Sequence, residues 1–300
     1  LVKKVILIDR ESVGGTCLNW GCIPTKTLIA SSTLCYDARH AQKMGILARD
    51  VSYDYGAMTS RKDDIVNKLR GGVASRSKAN GVKVFTGTGS FQGRNAIAVH
   101  GDGGGADASL QSAATIIATG ATSVMPGFLP KSRRVVDSRL FLGATSLPSS
   151  MIVLGGGVIG CEFACMAAQL GVTVTVVEML EDILMILDQD VRAELRSCME
   201  KNLDIRIMTG KPLDRIKADD SCVSGTVNGK TIDAELLLVS VGRKPVTGDL
   251  KLDNGGLGTD KGGYIQTDEF CRTGMGSIYA AGDVTGGPQL AHAATSQGTT

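Results

Sequence analysis

The sequence predicts an α/β chain: two parallel-sheet domains of one type, plus a small antiparallel β excursion. Three observations predict it. Short apolar runs recur and end in a glycine or an acid; one of them is followed by a glycine turn and an apolar helix; and the strand-then-acid pattern occurs twice, at Asp9 and at Glu178.

Taken in order, residues 3–9 pass from two lysines through an apolar run to Asp9 and read as a buried strand delivering a carboxylate. Residues 63–78 carry charged and apolar side chains at helical spacing and predict an amphipathic helix. Between Phe91 and Ala113 the pattern alternates and is broken by a glycine-rich stretch at 101–105, which predicts the antiparallel excursion. Residues 114–119, with Ala118 and Thr119 at the end, form a strand closed by Gly120. A second glycine-ended strand stops at Gly242, just before Arg243, and a third stops at Gly282 and Asp283. Each sets backbone at the carboxyl edge of a parallel sheet, where α/β folds bind ligands.

The clearest segment is apolar residues 151–154, then Gly155, Gly157 and Gly160 in a GxGxxG turn, then an apolar helix to Leu170. Gly171 ends that helix, and a second strand at 172–177 closes on Glu178. This is the dinucleotide fingerprint in the strand–turn–helix setting it requires, so both domains are expected to be Rossmann-like. Gly155 permits the tight turn, Gly157 lets backbone approach a pyrophosphate, and Gly160 allows close helix–strand contact; the pyrophosphate sits at the helix N-terminus. Glu178 follows Gly160 by 18 residues, close to the ~20 expected of an acid on the adenine ribose. A carboxylate there repels a 2′-phosphate and favours NAD over NADP. The alternative is a packing turn that holds no ligand.

Gly14, Gly15 and Thr16 lead into Cys17, and Cys22, Pro24 and Lys26 follow. Pro24 suits the first turn of a helix, which places Cys22 near the positive end of the dipole, where the thiolate is favoured. Lys26, one turn on, adds positive charge. The spacing of the two cysteines alone is weak evidence, and a disulfide forms only where the local backbone brings their β-carbons together. A metal site lacks partners, since the histidines are His40, His100 and His292 and no second cysteine pair has ligand spacing. The other cysteines (Cys35, Cys161, Cys165, Cys198, Cys222 and Cys271) are expected in cores or at the surface.

Composition narrows the function classes. Thirty-nine glycines against seven prolines, with 43% apolar residues, suit a glycine-punctuated α/β chain with cores for two domains. A net charge of +2 gives no reason to expect nucleic acid or an anionic membrane as partner. No apolar run approaches the ~20 residues of a membrane helix. Eight cysteines in so long a chain suggest a reduced, intracellular setting, cytoplasm or mitochondrial matrix.

Together, residues 14–26, the acid at Asp9, Ala118-Thr119-Gly120, the fingerprint, Gly242-Arg243 and Gly282-Asp283 closely resemble the class I pyridine nucleotide–disulfide oxidoreductases along the whole chain. Within that family, Leu290-Ala291-His292 and the acid at Glu178 look like the dihydrolipoyl dehydrogenase branch. The resemblance implies an FAD domain at 1–147, an NAD domain at 148–242 and a return to the FAD domain at 243–300. It implies that Cys17 exchanges with a dithiol substrate, that Cys22 faces the flavin, and that Lys26 and Glu162 pair near the flavin N5. Asp9 would bind the FAD ribose, and Gly89, Thr119 and Gly120 would line the FAD site. Asp283 would hold the ribityl chain, and residues Gln289 to His292 would meet the flavin pyrimidine end. The implied partners are lipoyl domains of 2-oxo acid dehydrogenase or glycine-cleavage complexes, in a homodimer.

A β–α–β unit takes ~30 residues, so a strand, a glycine turn and a helix are expected ahead of Leu1. The family's interface domain, with its His–Glu acid/base pair, is expected after Thr300. On that expectation the 300 residues alone would not turn over dihydrolipoamide efficiently. Trp20 is a minor variation within the cysteine segment. Two other readings stand beside this one: a reductase of another disulfide or of a metal ion, and a catalytically silent NAD- or flavin-binding protein.

Overall fold

The computed structural model describes residues 4–101 and 108–300, so the glycines at 103–105 lie outside the described residues. The chain forms two compact units. The first comprises Leu1–Asn19, Asn67–Thr122 and Arg243–Thr300; the second comprises Trp20–Val66 and Ser123–Gly242. Residues 20–66 and 123–147 thus pack with the glycine fingerprint. No helix among the described residues is long and apolar enough to cross a membrane.

In the second unit, strands Arg206–Met208, Thr173–Val177, Ser150–Leu154, Leu236–Val239 and Val135–Asp137 lie side by side in that order, all parallel. From Ser150–Leu154 the chain steps outward to Thr173–Val177 and Arg206–Met208, then returns to its other side as Leu236–Val239. That reversal is a topological switch point, where connections leave in opposite directions and open a crevice at the strands' carboxyl ends. Register places Val177 and Val239 both against Leu154, so Gly155, Glu178 and Ser240 emerge side by side.

The central strands are apolar throughout because both faces are covered. Helix Val158–Gln169 buries Ala164, Met166 and Ala167 on one face, joined by Leu28 of helix Cys22–His40. The other face is covered by an antiparallel meander, Asp214–Ala218, Val223–Val227 and Lys230–Ala234, through Leu213, Val223, Val227 and Ile232. The sequence reading predicts only one antiparallel excursion; this second one escaped it because polar Ser224, Thr226 and the lysines interrupt its apolar positions.

Helix Tyr55–Ala79 begins two turns before the predicted 63–78. Asp54 caps it by accepting from the Ala57 N–H (3.0 Å), and its buried stripe of Tyr55, Thr59, Lys62 and Val66 includes two polar residues that hide the period. Lys62 is tolerated inside because its ammonium donates to the Leu142 carbonyl (2.8 Å) and pairs with Asp63 (2.7 Å).

Glu235 ties two loops of this unit. Its carboxylate accepts from the Ser149 N–H (2.8 Å) and hydroxyl (3.1 Å) and from the Arg134 guanidinium (2.8 Å). The Ser149 amide, and then Arg134, hold its pKa below the ordinary 4.5. A lowered folded-state pKa gives stability that is present above the unfolded value and lost as pH falls through the folded one. Glu235→Gln is therefore expected to lower the melting temperature modestly at neutral pH, with the difference from wild type closing on acidification below about pH 4. A gap that does not vary with pH would contradict this.

In the first unit, Ile6–Asp9 pairs in parallel with Lys83–Thr86, and Ile278–Ala280 pairs in parallel with Thr115–Ile117. Thr88–Gly93, Ala96–His100 and Ala108–Gln111 form the expected antiparallel sheet. Phe91, Ile97, Ile117, Ile278 and Ala280 share one core, against which Ile8 packs. The strand ending at Asp9 is not buried as predicted: Val5, Ile6 and Leu7 are 51%, 42% and 37% exposed, and among the described residues it is paired on one edge only. The strand leading to Gly120 covers three residues rather than six. Ala118 and Thr119 leave the ladder, and the Thr119 hydroxyl donates to the Val246 carbonyl (2.6 Å).

Candidate active site

The glycine turn of the second unit is shaped by its own backbone. At Gly155 (φ +107°) an added Cβ would lie 2.5 Å from the Ser240 carbonyl oxygen, and at Gly160 it would lie 2.1 Å from the Gly155 carbonyl oxygen. Both positions exclude any side chain. Gly157 differs: it is exposed, its φ of −75° suits any residue, and nothing lies within 4 Å of a Cβ there. Space stands open above it at the N-terminus of helix Val158–Gln169, where free N–H groups favour an anion. Glu178 turns back onto the loop, accepting from the Gly156 N–H (2.6 Å) and the Leu180 N–H (2.9 Å). Its carboxylate is thus fixed beside the turn. Ser240, which the sequence reading passed over, braces the same turn by donating to the Leu154 and Gly155 carbonyls (3.1 and 3.0 Å).

The cysteine segment is two helical pieces broken at Gly21. Gly15–Trp20 carries Thr16 and Cys17, and Cys22 opens helix Cys22–His40. Cys17 and Cys22 are disulfide-bonded, and the other six cysteines are free. Burial sets two of those six apart from redox work: it pushes the Cys161 thiol up to about 12 and the Cys165 thiol up to about 11. One turn after Cys22, Lys26 pairs with Glu162 of helix Val158–Gln169, although the two are 136 residues apart. Asn19 is a further residue that sequence reasoning missed. Buried, it donates to the carbonyls of Ser12, Val13 and Gly15 (3.2, 3.2 and 2.9 Å) and accepts from Arg70 (2.8 Å), fixing the loop that carries Gly14 and Gly15. A single asparagine inside a short helix gives no sequence signal that marks it as the tie of the preceding loop.

In the first unit, three predicted stretches converge at the carboxyl ends of Thr115–Ile117 and Ile278–Ala280. The Val246 N–H donates to the Gly120 carbonyl (2.9 Å), and the Ala281 N–H donates to that of Ile117 (3.0 Å). Arg243 bridges them: its guanidinium lies 3.6 Å from the Asp283 carboxylate and donates to the Ala121 carbonyl. Gly282 accompanies Asp283, and its N–H donates to Gln297 (2.7 Å). Gln289 donates to the Tyr264 hydroxyl (3.2 Å), and Leu290 caps the short helix Ala291–Gln297, on which His292 is exposed. Asp9 accepts from the Glu11 and Ser12 N–H groups (2.9 and 3.1 Å), which turns the chain out of its strand. Gly89 lies within strand Thr88–Gly93 against Ile8. The sterically obligate glycine nearby is Gly87, where a Cβ would meet the His100 carbonyl at 2.4 Å.

Comparison with known proteins places these features in a family. Over 299 residues the chain is 40% identical to dihydrolipoyl dehydrogenase 2 of Haloarcula marismortui, covering 97% of this chain and 63% of that protein. It is 37% identical over 298 residues to the dihydrolipoyl dehydrogenase of Chlamydia muridarum, with 98% and 63% covered. Among solved structures, LpdA of Mycobacterium tuberculosis matches with a TM-score of 0.90 at 28% identity, over 98% of this chain and 65% of that one. The HOCl-induced flavoprotein disulfide reductase RclA of Escherichia coli matches with a TM-score of 0.84 at 28% identity, over 98% and 64%. The chain therefore spans a little under two thirds of the length of these two relatives. The family described as pyridine nucleotide-disulphide oxidoreductase matches residues 2–298, and with its fold and cysteine pair this chain belongs to it.

Proposed function

We propose that this chain forms the nucleotide-binding and redox part of a dihydrolipoyl dehydrogenase, which oxidises protein-bound dihydrolipoamide and reduces NAD⁺. The observation that carries the reading is the Cys17 and Cys22 disulfide, at the start of a helix whose next turn pairs Lys26 with Glu162. The kinship with dihydrolipoyl dehydrogenases supports the substrate class.

In this reading a substrate thiolate attacks Cys17 Sγ. The Cys17–Cys22 bond breaks, and Cys22 departs as a thiolate at a helix N-terminus, where negative charge is favoured. The second substrate thiol then attacks the substrate sulfur of the mixed disulfide, releasing lipoamide and the Cys17 thiolate. Two electrons now rest on the cysteine pair. FAD, when bound, supplies the carrier that takes those electrons on to NAD⁺. The residues fit both cofactors: the open space over Gly157 and the fixed Glu178 carboxylate suit a dinucleotide lacking a 2′-phosphate. The converging Gly120, Arg243 and Asp283 stand at the carboxyl edge of the other parallel pair. Lipoyl domains of 2-oxo acid dehydrogenase or glycine-cleavage complexes are the proposed carriers, and a homodimer the proposed assembly.

The test is an anaerobic titration of the full-length, flavin-loaded protein with dihydrolipoamide. Growth of a long-wavelength thiolate–flavin absorbance, followed by reoxidation with NAD⁺ and not NADP⁺, is the expected result. Bound flavin that ignores dihydrolipoamide would move the assignment to another disulfide or a metal ion. A protein that takes up no flavin would leave an NAD-binding module.

A further inference from the structure

Helices Cys22–His40 and Val158–Gln169 pack against each other in the second unit, and polar contacts join them at two places. Lys26 meets Glu162 near the start of each helix. Further along, the Ser32 hydroxyl donates to the Gln169 amide oxygen at 2.6 Å, and the Thr33 hydroxyl donates to the same oxygen at 3.4 Å. From Lys26 to Thr33, and from Glu162 to Gln169, is seven residues, or about two helical turns, so both contacts fall on one seam.

The two contacts differ in what they can fix. Lys26 and Glu162 are 59% and 30% exposed, and an exposed lysine pair on a flexible stem specifies little geometry by itself. Ser32 is wholly buried and Gln169 half-buried, and a hydroxyl–amide bond between them is short-ranged and directional. Sliding one helix by a full turn, about 5.4 Å, would break it. With the apolar packing of Leu28 against the same helix, the Ser32–Gln169 contact is better suited than the exposed pair to define the register.

We propose that Gln169, acting through Ser32, is a positioning residue for the redox chemistry: it locks the two helices in the register that holds Lys26 on Glu162. This rests on the reading above, in which that pair serves the flavin. Loss of the Gln169 amide leaves Ser32 an alternative acceptor, the Ile29 carbonyl at 3.0 Å, so a Gln169→Leu protein is expected to fold.

The test is a double-mutant cycle of Gln169→Leu with Glu162→Gln in the full-length holoenzyme, read in two ways. Gln169→Leu is expected to slow flavin reduction by dihydrolipoamide about tenfold, as small misplacements of reacting groups do, and to slow it no further once Glu162 is glutamine. Unfolding midpoints, which need no flavin chemistry, are expected to be non-additive, although sites about 10 Å apart ordinarily add. Tyr36→Phe is the control. It removes another hydrogen bond of the same helix, from the Tyr36 hydroxyl to the Asn202 carbonyl (3.1 Å), and is expected to leave the reduction rate unchanged. Equal slowing in both Glu162 backgrounds, or additive midpoints, overturns the proposal. Should wild-type flavin ignore the dithiol, the functional reading fails instead, and non-additive midpoints still uphold the register lock.

Discussion

Cys22→Ser is expected to slow reduction of the bound flavin by dihydrolipoamide about a thousandfold or more, the scale seen when a covalent catalytic group is removed. Serine can neither form the disulfide nor leave as a thiolate. Cys17→Ser is expected to be equally inactive for a different reason, and the two variants should look different. With Cys17 gone, the lone Cys22 remains first in a 19-residue helix whose N-cap, Gly21, makes no side-chain cap, so its backbone donors favour negative charge beside it. The long-wavelength absorbance is then expected without any reductant in Cys17→Ser and at no stage in Cys22→Ser. The check is a visible spectrum of each oxidised variant followed by stopped-flow mixing with the dithiol. The opposite pattern would exchange the roles of the two cysteines, and near wild-type rates in both would remove the pair from the reaction.

How much of this was legible in the sequence follows from how local each feature is. The fingerprint was, because Gly160 meets the Gly155 carbonyl and Glu178 the Gly156 N–H within one strand–turn–helix–strand unit, and their spacing carries the geometry. The residues around Cys22 were, because Pro24 and Lys26 lie within the first five residues of the same helix. What could not be read is long-range pairing between polar residues. Gln169 looks like any residue near the end of an amphipathic helix until Ser32 is seen opposite it. Ser240 looks like a strand end until the Gly155 carbonyl is beside it. Lys26 and Glu162 were paired only through the family resemblance, and Arg243 was not paired with Asp283 at all. The exposure of Ile6 and Leu7 was misread for a related reason: apolar composition says that a strand can be buried, while what packs on its faces decides whether it is.

The fingerprint glycines allow ligand binding to be separated from packing, with opposite expectations for two single-methyl changes. Alanine at an exposed helical glycine gains about 1 kcal/mol of propensity. At Gly160 that gain is outweighed. The new Cβ would lie 2.1 Å from the Gly155 carbonyl oxygen, 2.7 Å from Ser240 Oγ and 3.1 Å from Val153 Cγ1. The nearest of these is backbone in a turn already held by its neighbours, so helix and strand must separate, and overpacking of this kind costs about 3 kcal/mol. Gly160→Ala is accordingly expected to lower the melting temperature by several degrees and to weaken dinucleotide binding as a consequence. At Gly157 the protein offers no such objection: the backbone is extended, and no atom lies within 4 Å of the new Cβ. Gly157→Ala is expected to leave the melting temperature within about a degree or two, since only a weak N-cap preference is lost. It is expected to weaken NADH binding about tenfold or more, because the methyl group occupies the approach to the helix N-terminus. Thermal unfolding and NADH titration of both variants check this together. A Gly157→Ala protein that binds NADH like wild type would mean that no pyrophosphate comes close to that residue. The turn would then be a packing device alone, since the folded chain gives no reason of its own for glycine at that position.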